Sequence, residues 1–224
     1  VTRSLTDLPA AVLGVLAVLL SGKWIIASVL LGAGALFREV SALSFPVACW
    51  KDSVAGKSTK RIILSTVIMV APILLWIAYI YTRMTVGAEA GVSNFAFPLS
   101  GFIQKIYGAV NALAGSTPPG LEHRSDVLTF ELICPLSLAV QAAYMVGKPR
   151  FGAEAWRLGI GFALLFCILA DVAWVEQYAY CRMLLPMTFA FNLLIHKYES
   201  DGKFASWYVA GNTGMCWLCL VSVL

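Results

Sequence analysis

Residues Ile62 to Tyr81 read IILSTVIMVAPILLWIAYIY, twenty consecutive positions without a charge. A helix needs about 20 mainly apolar residues to cross the hydrocarbon core of a bilayer. In lipid every backbone polar group must be satisfied, so a spanning segment is a helix or part of a closed barrel. The stretch has no period-two alternation, which predicts a helix and argues against a barrel strand. The chain around it is similar: of 224 residues, 60% are hydrophobic and 12% charged, with a mean hydropathy of +0.82. A soluble domain carries roughly 25% charged residues. The predicted fold class is therefore all-α, a polytopic transmembrane helical bundle forming one domain over residues 1–224.

Eight apolar segments are predicted, at about 8–21, 24–37, 40–50, 62–82, 127–146, 156–170, 183–195 and 205–224. The second and third could form one helix. However, an adjacent Arg38 and Glu39 would each cost at least a few kcal/mol in hydrocarbon. Two short helices meeting at a break, open to a polar cavity, are the cheaper arrangement. With the N-terminus outside, the inner loops hold Lys23, Lys51, Lys57, Lys60, Arg61, Lys148, Arg150, Arg157, Lys197 and Lys203, ten of the 16 basic residues. That bias follows the positive-inside rule and gives no sign of nucleic-acid binding. An outside N-terminus without a signal sequence, and ends at Val1 and Leu224, lead us to expect a fragment preceded by an even number of further helices.

Residues 84–126 form the one substantial extracytoplasmic loop. Within it Leu99, Phe102, Ile103, Ile106, Val110 and Leu113 recur at helical spacing, with Ser100, Gln104, Lys105 and Asn111 elsewhere around the turn. An amphipathic helix at about 99–114, lying on the outer membrane surface, is predicted.

Of the twelve acidic residues, eight (Asp7, Glu39, Glu89, Glu122, Asp126, Glu131, Asp171 and Glu176) fall at the outer face on this topology. Arg38, Arg83, Arg124, Arg182 and His123 border the same face. A polar cavity opening outward accounts for the bias, although many of these groups also serve simply to solvate helix ends. Asp7, in Thr6-Asp7-Leu8-Pro9-Ala10, is explained by capping or by a contact with substrate or a divalent metal. Arg38-Glu39 reads as cavity lining or an internal ion pair, and arginine's planar fork suits phosphate. Arg182 stands at a helix N-terminus, against the dipole, and needs an anion, either Asp171, Glu176 or a lipid phosphate. Tyr180 and Trp174 belong to that site or to the aromatic belt of the interface. Glu131 lies one turn inside its helix, where it is either protonated or paired with a cation. The cysteines, including Cys216 and Cys219 in a CxxC, read as small packing residues. There is no P-loop, GxGxxG or nucleophile-and-base pattern.

Three stretches together resemble a known family. Thr6-Asp7-Leu8-Pro9-Ala10 leads a segment ending in Ser21-Gly22-Lys23-Trp24. A short helix follows, ending Gly34-Ala35-Leu36-Phe37-Arg38-Glu39-Val40-Ser41-Ala42-Leu43, with Pro46 after it. Tyr180-Cys181-Arg182-Met183-Leu184-Leu185-Pro186 is similar to a Tyr-x-Arg-x-Leu-x-Pro helix entry. The succession resembles the GT-C superfamily of membrane glycosyltransferases over about residues 5–50 and 174–195. The resemblance implies transfer of a sugar from a polyprenyl-phosphate donor to a glycan, lipid or protein acceptor, at the outer side of an inner or plasma membrane. It also implies a catalytic carboxylate in a first outer loop that would lie upstream of Val1. Asp7, Arg38, Glu39, Tyr180 and Arg182 would bind substrate, with the arginines facing the donor phosphate and the 99–114 helix roofing the acceptor entrance. The alternative is a transporter or flippase for a lipid-linked or anionic substrate; a membrane scaffold is the third reading.

Overall fold

The computed structural model describes residues 7–48, 59–83, 96–114, 131–175 and 179–221. They are helical throughout, with no strand among the described residues. The helices are α1 (Asp7–Leu19), α2 (Trp24–Phe37), α3 (Thr59–Arg83), α4 (Ser100–Leu113) and α5 (Cys134–Gly147). They continue with α6 (Glu154–Ile168), α7 (Asp171–Val175), α8 (Ala179–Met183), α9 (Leu185–Tyr198) and α10 (Asp201–Val221). Between α2 and α3 a 3-10 segment covers Glu39–Ser44.

Among the described residues one helix is long and apolar enough to cross a membrane: Thr59–Tyr79 within α3, of mean hydropathy 2.4 and 11% buried. The predicted segments at 8–21 and 24–37 are helices of 13 and 14 residues, about 20 Å long at 1.5 Å per residue. Of the predicted 127–146 segment, residues 127–130 lie outside the described residues; a wider helical turn at 131–133 leads directly into α5 at Cys134.

The order of packing is α3 on α2, α2 on α1, and α1 on the pair α6 and α9, with α5 and then α10 beyond. Small residues let the first of these helices approach closely. Ala27, Ser28, Leu31, Gly32, Gly34 and Ala35 form the buried face of α2, and Gly32 meets the α3 backbone at Ile68 and Met69. Ser28 and Ser65 hydrogen-bond across that contact. Small side chains at helix crossings permit the backbone proximity that van der Waals packing requires. Leu158, Phe162 and Ala163 of α6 and Phe191, Leu194 and Ile195 of α9 are buried at the centre.

Polar groups hold α10 to its neighbours. Gln141 donates to the Gly211 carbonyl at 2.7 Å and accepts from Thr188 at 2.9 Å. Asn192 and Asn212 exchange two hydrogen bonds of 2.9 Å. The Gly214 N–H donates to Ser137 at 3.0 Å. Each contributes about 0.5–1.5 kcal/mol net.

The chain breaks at Arg38, where the backbone turns extended (φ −152°, ψ 117°). The 3-10 segment that follows lies on α6 because Gly161 has no side chain: a β-carbon there would run into the carbonyl and β-carbon of Leu43. We expect Gly161→Val to lower stability by about 1–3 kcal/mol through this overlap. Gly108, in α4 with nothing within 4 Å of an added β-carbon, is the control; Gly108→Ala should be neutral or slightly stabilising. Thermal unfolding of both variants checks this, and equal melting temperatures would contradict the close contact.

The exterior is apolar. Leu8, Leu19, Ile25, Val29, Ile63, Leu75 and Trp76 are all at least half exposed, an amount of exposed apolar surface of the kind that marks a membrane or an interface.

Candidate functional site

Arg38 and Arg182 come together. One narrow cleft is lined by both, by Ala10 and Ala11 of α1, by Ser41 of the 3-10 segment, by Phe162 of α6 and by Pro186 of α9. Its volume is about 10 Å³, room for about one water. The break after α2 aims Arg38 at this cleft, and the turn between α8 and α9, with Pro186 near the start of α9, places Arg182 across from it. Both arginines are partly buried, while Ser41 is 6% exposed. The two residues lie 144 positions apart in sequence and meet because α1, α6 and α9 pack around them.

The other sequence-predicted site residues take different positions. Asp7 opens α1, and its side chain lies outside the described residues. Glu39 is exposed at the first position of the 3-10 segment, beside the cleft. Tyr180 is 1% exposed. Its ring lies 4.8 Å from that of Trp174, so it supports the helix carrying Arg182 from behind. Glu122, His123 and Asp126 lie outside the described residues. Among the described residues no three His, Cys, Asp or Glu side chains gather to hold a metal ion.

A second polar cluster fastens α4 to this region; the sequence offered a cation partner for Glu131 as one alternative but did not identify it as Lys105. Lys105 reaches inward, 8% exposed, and its ammonium lies 2.7 and 2.6 Å from the two oxygens of Glu131. It also donates to the Trp174 carbonyl at 2.8 Å and lies 5.8 Å from the Tyr180 ring centre. With its amide nitrogen turned toward Asp171, Gln104 donates to that carboxylate at 2.5 and 3.1 Å. Gly101, Ala109 and Ala112 are the buried members of the same inward face. Ile103, Tyr107 and Val110 point outward, each more than half exposed. At the N-terminal end of α4, Leu99 adopts a left-handed conformation (φ 64°) while its N–H donates to the Cys167 carbonyl at 2.5 Å. A non-glycine residue there costs on the order of 1 kcal/mol. The spacing Gly101, Lys105, Ala109, Ala112, small residues around one cation, was the available signal.

At the opposite end of the bundle Glu199 gathers charge. Its side chain is 5% exposed and accepts from Lys148 at 2.7 Å and Tyr144 at 2.9 Å, with Arg150 at 3.7 Å. The Lys148 hydrogen bond, with smaller help from Tyr144 and Arg150, holds its carboxyl below the ordinary value of 4.5, against the effect of burial. A carboxyl depressed by folding stabilises the protein above its unfolded pKa and loses that contribution as pH falls through its folded pKa. Glu199→Gln is therefore expected to cost about 1–3 kcal/mol near neutral pH. The gap from the parent should close in acid below 4.5. Melting curves across that range check it; a gap independent of pH would count against the pairing.

No family model matches the sequence, and neither a curated protein nor a solved structure is similar to it.

Proposed function

We propose that the chain is a multi-pass integral membrane protein that transfers a sugar from a polyprenyl-phosphate donor at the extracytoplasmic face. The observation that carries this reading is the meeting of Arg38 and Arg182 in one cleft. Two guanidinium groups present planar forks of N–H donors suited to phosphate; the cleft, with room for about one water, must widen to admit the donor headgroup. The charge bias of the loops turns that end of α1, α6 and α9 away from the cytoplasm. The apolar exterior gives the polyprenyl chain a continuous path in lipid, so the donor's headgroup enters sideways. Helices of about 20 Å are shorter than a hydrocarbon core of about 30 Å, and the bilayer thins locally to match them.

In the reaction the sugar's anomeric carbon forms a bond to the acceptor oxygen and its bond to the donor phosphate oxygen breaks. Arg38 and Arg182 stabilise the charge that collects on the departing polyprenyl phosphate. A carboxylate base takes the acceptor proton; none of the described residues is given that role. Glu39 stands beside the cleft toward the sugar, and Tyr180 positions the helix carrying Arg182.

The discontinuities at Arg38 and Leu184, both next to the cleft, also favour a transporter or flippase of a lipid-linked anion, since broken helices build such sites. One experiment separates the two. The protein in its natural full length is reconstituted into vesicles with radiolabelled polyprenyl-phosphate sugars and an acceptor mixture. Transferase activity releases polyprenyl phosphate and moves label to the acceptor. Label that only changes leaflet, with the donor intact, overturns the transferase reading.

A further inference from the structure

The bundle carries a second, larger hollow at the end opposite the arginine cleft. Along α1, α6 and α9 the residues lining the two are seven to twelve positions apart, about 10–18 Å of helix rise. The hollow encloses about 370 Å³, within the range of small organic ligand sites, roughly 300–1,000 Å³. Its walls are apolar: Val18 and Leu19 from the end of α1, Ala155 from the start of α6, and Leu193 and Leu194 from α9. Its rim is basic, formed by His196 and Lys197 in the last turn of α9.

The charge at this rim is unbalanced in a specific way. Glu154, the one acid on the hollow's edge, is already met by Arg157 at 3.3 Å. The nearby Glu199 is engaged by Lys148 and Arg150. Among the described residues no carboxylate lies within ion-pairing distance of Lys197, which rests 5.4 Å from the Tyr198 ring centre. An apolar trough with a cation at its lip, on the side where Lys23, Lys148, Arg150 and Lys203 also lie, matches an amphiphile with an anionic head.

We propose that this hollow binds an anionic phospholipid of the cytoplasmic leaflet. Its phosphate sits at Lys197 and His196, and its glycerol and first acyl methylenes lie along Leu193, Leu19 and Val18. The anionic headgroups of that leaflet supply the ligand, and each lysine near such a surface contributes roughly fivefold in affinity. The inference rests on the membrane placement and orientation, and it is independent of sugar transfer.

The test uses the chain purified from carbonate-washed membranes and placed in nanodiscs of phosphatidylcholine, with or without phosphatidylglycerol. Retained lipid is read by native mass spectrometry, together with the melting temperature. The parent should retain phosphatidylglycerol selectively and melt higher with it. Lys197→Glu, which removes the cation and adds a like charge, and Leu193→Trp, which fills the trough, should each lower that retention at least roughly fivefold. Both should melt as the parent does in pure phosphatidylcholine, which shows that they fold. Retention unchanged in both variants overturns the proposal, as does equal retention of the two lipids. Full displacement by glycerol phosphate or inorganic phosphate also overturns it, because it identifies a free-anion site. A chain that washes off with carbonate removes the membrane placement itself. Loss of sugar transfer with lipid retention intact bears only on the proposed reaction.

Discussion

Arg38→Ala and Arg182→Ala are each expected to lower kcat/KM for a polyprenyl-phosphate donor by about 10²-fold, with little change in melting temperature. Removing one preorganised donor to a developing oxyanion costs about 3–4 kcal/mol in well-studied sites. The two guanidinium groups line one cleft, so their effects should be coupled: the double variant should lose less than the product of the two single losses. Lysine at either position should recover only part of the activity, since it keeps the charge and loses the fork. A donor lacking the phosphate should respond equally poorly in all forms of the protein. If both alanine variants transfer sugar as the parent does, neither residue belongs to the site.

Lys105→Met is expected to be the most destabilising of the single substitutions considered. It removes the cation that faces Glu131 and the donor that satisfies the Trp174 carbonyl. Breaking a buried pair by deleting one partner costs about 3–5 kcal/mol, chiefly because the other charge remains buried. Glu131 is 18% exposed, so the lower end of that range applies. Lys105→Met combined with Glu131→Leu removes both charges and should recover much of the loss. Hydrogen exchange should locate the damage: α4 amides should lose protection before those of α6 and α9. A single variant as stable as the double one would show that the pair contributes nothing through its charge.

These two clusters differ in how much of them the sequence reveals. The break at Arg38 was legible, because adjacent charges inside an apolar run are costly and a chain interruption is the cheapest relief. That Arg38 and Arg182 share one end was legible from alternation of the segments. Their meeting in one cleft was not, since it depends on which helices are neighbours. The α4 helix shows a more general gap. Periodicity fixes which residues share a face but not which face turns inward. Of the predicted stripe, Ile103 and Val110 point away from the protein, while Phe102 packs against Phe166 and Trp174. Lys105, apparently solvent-facing by composition, is the residue that anchors the helix. In a bundle with an apolar exterior the usual sign of amphipathicity is reversed. The same reversal explains Gln141, Asn192 and Asn212, polar residues inside long apolar runs whose interhelical bonds no hydropathy window reveals. Arg157, counted among the inner-loop cations, is 1% exposed. The short helices α7 and α8 were hidden because five residues are too few for a periodic pattern. Hydropathy also overstated length at 8–21, where the helix ends at Leu19 and a turn follows; among the described residues Thr59–Tyr79 is the one helix long enough by itself.

The proposed function depends most on Arg38 and Arg182 sharing one cleft and on the proposal that this cleft opens outward. In a chain whose six cysteines are replaced by alanine, Arg38→Cys and Arg182→Cys can be joined by a short bifunctional thiol reagent that does not cross membranes. The account predicts rapid joining in sealed vesicles when the reagent meets the extracytoplasmic side, and none when it meets only the cytoplasmic side. Joining from the cytoplasmic side alone, or labelling of both thiols without a cross-link, would contradict it.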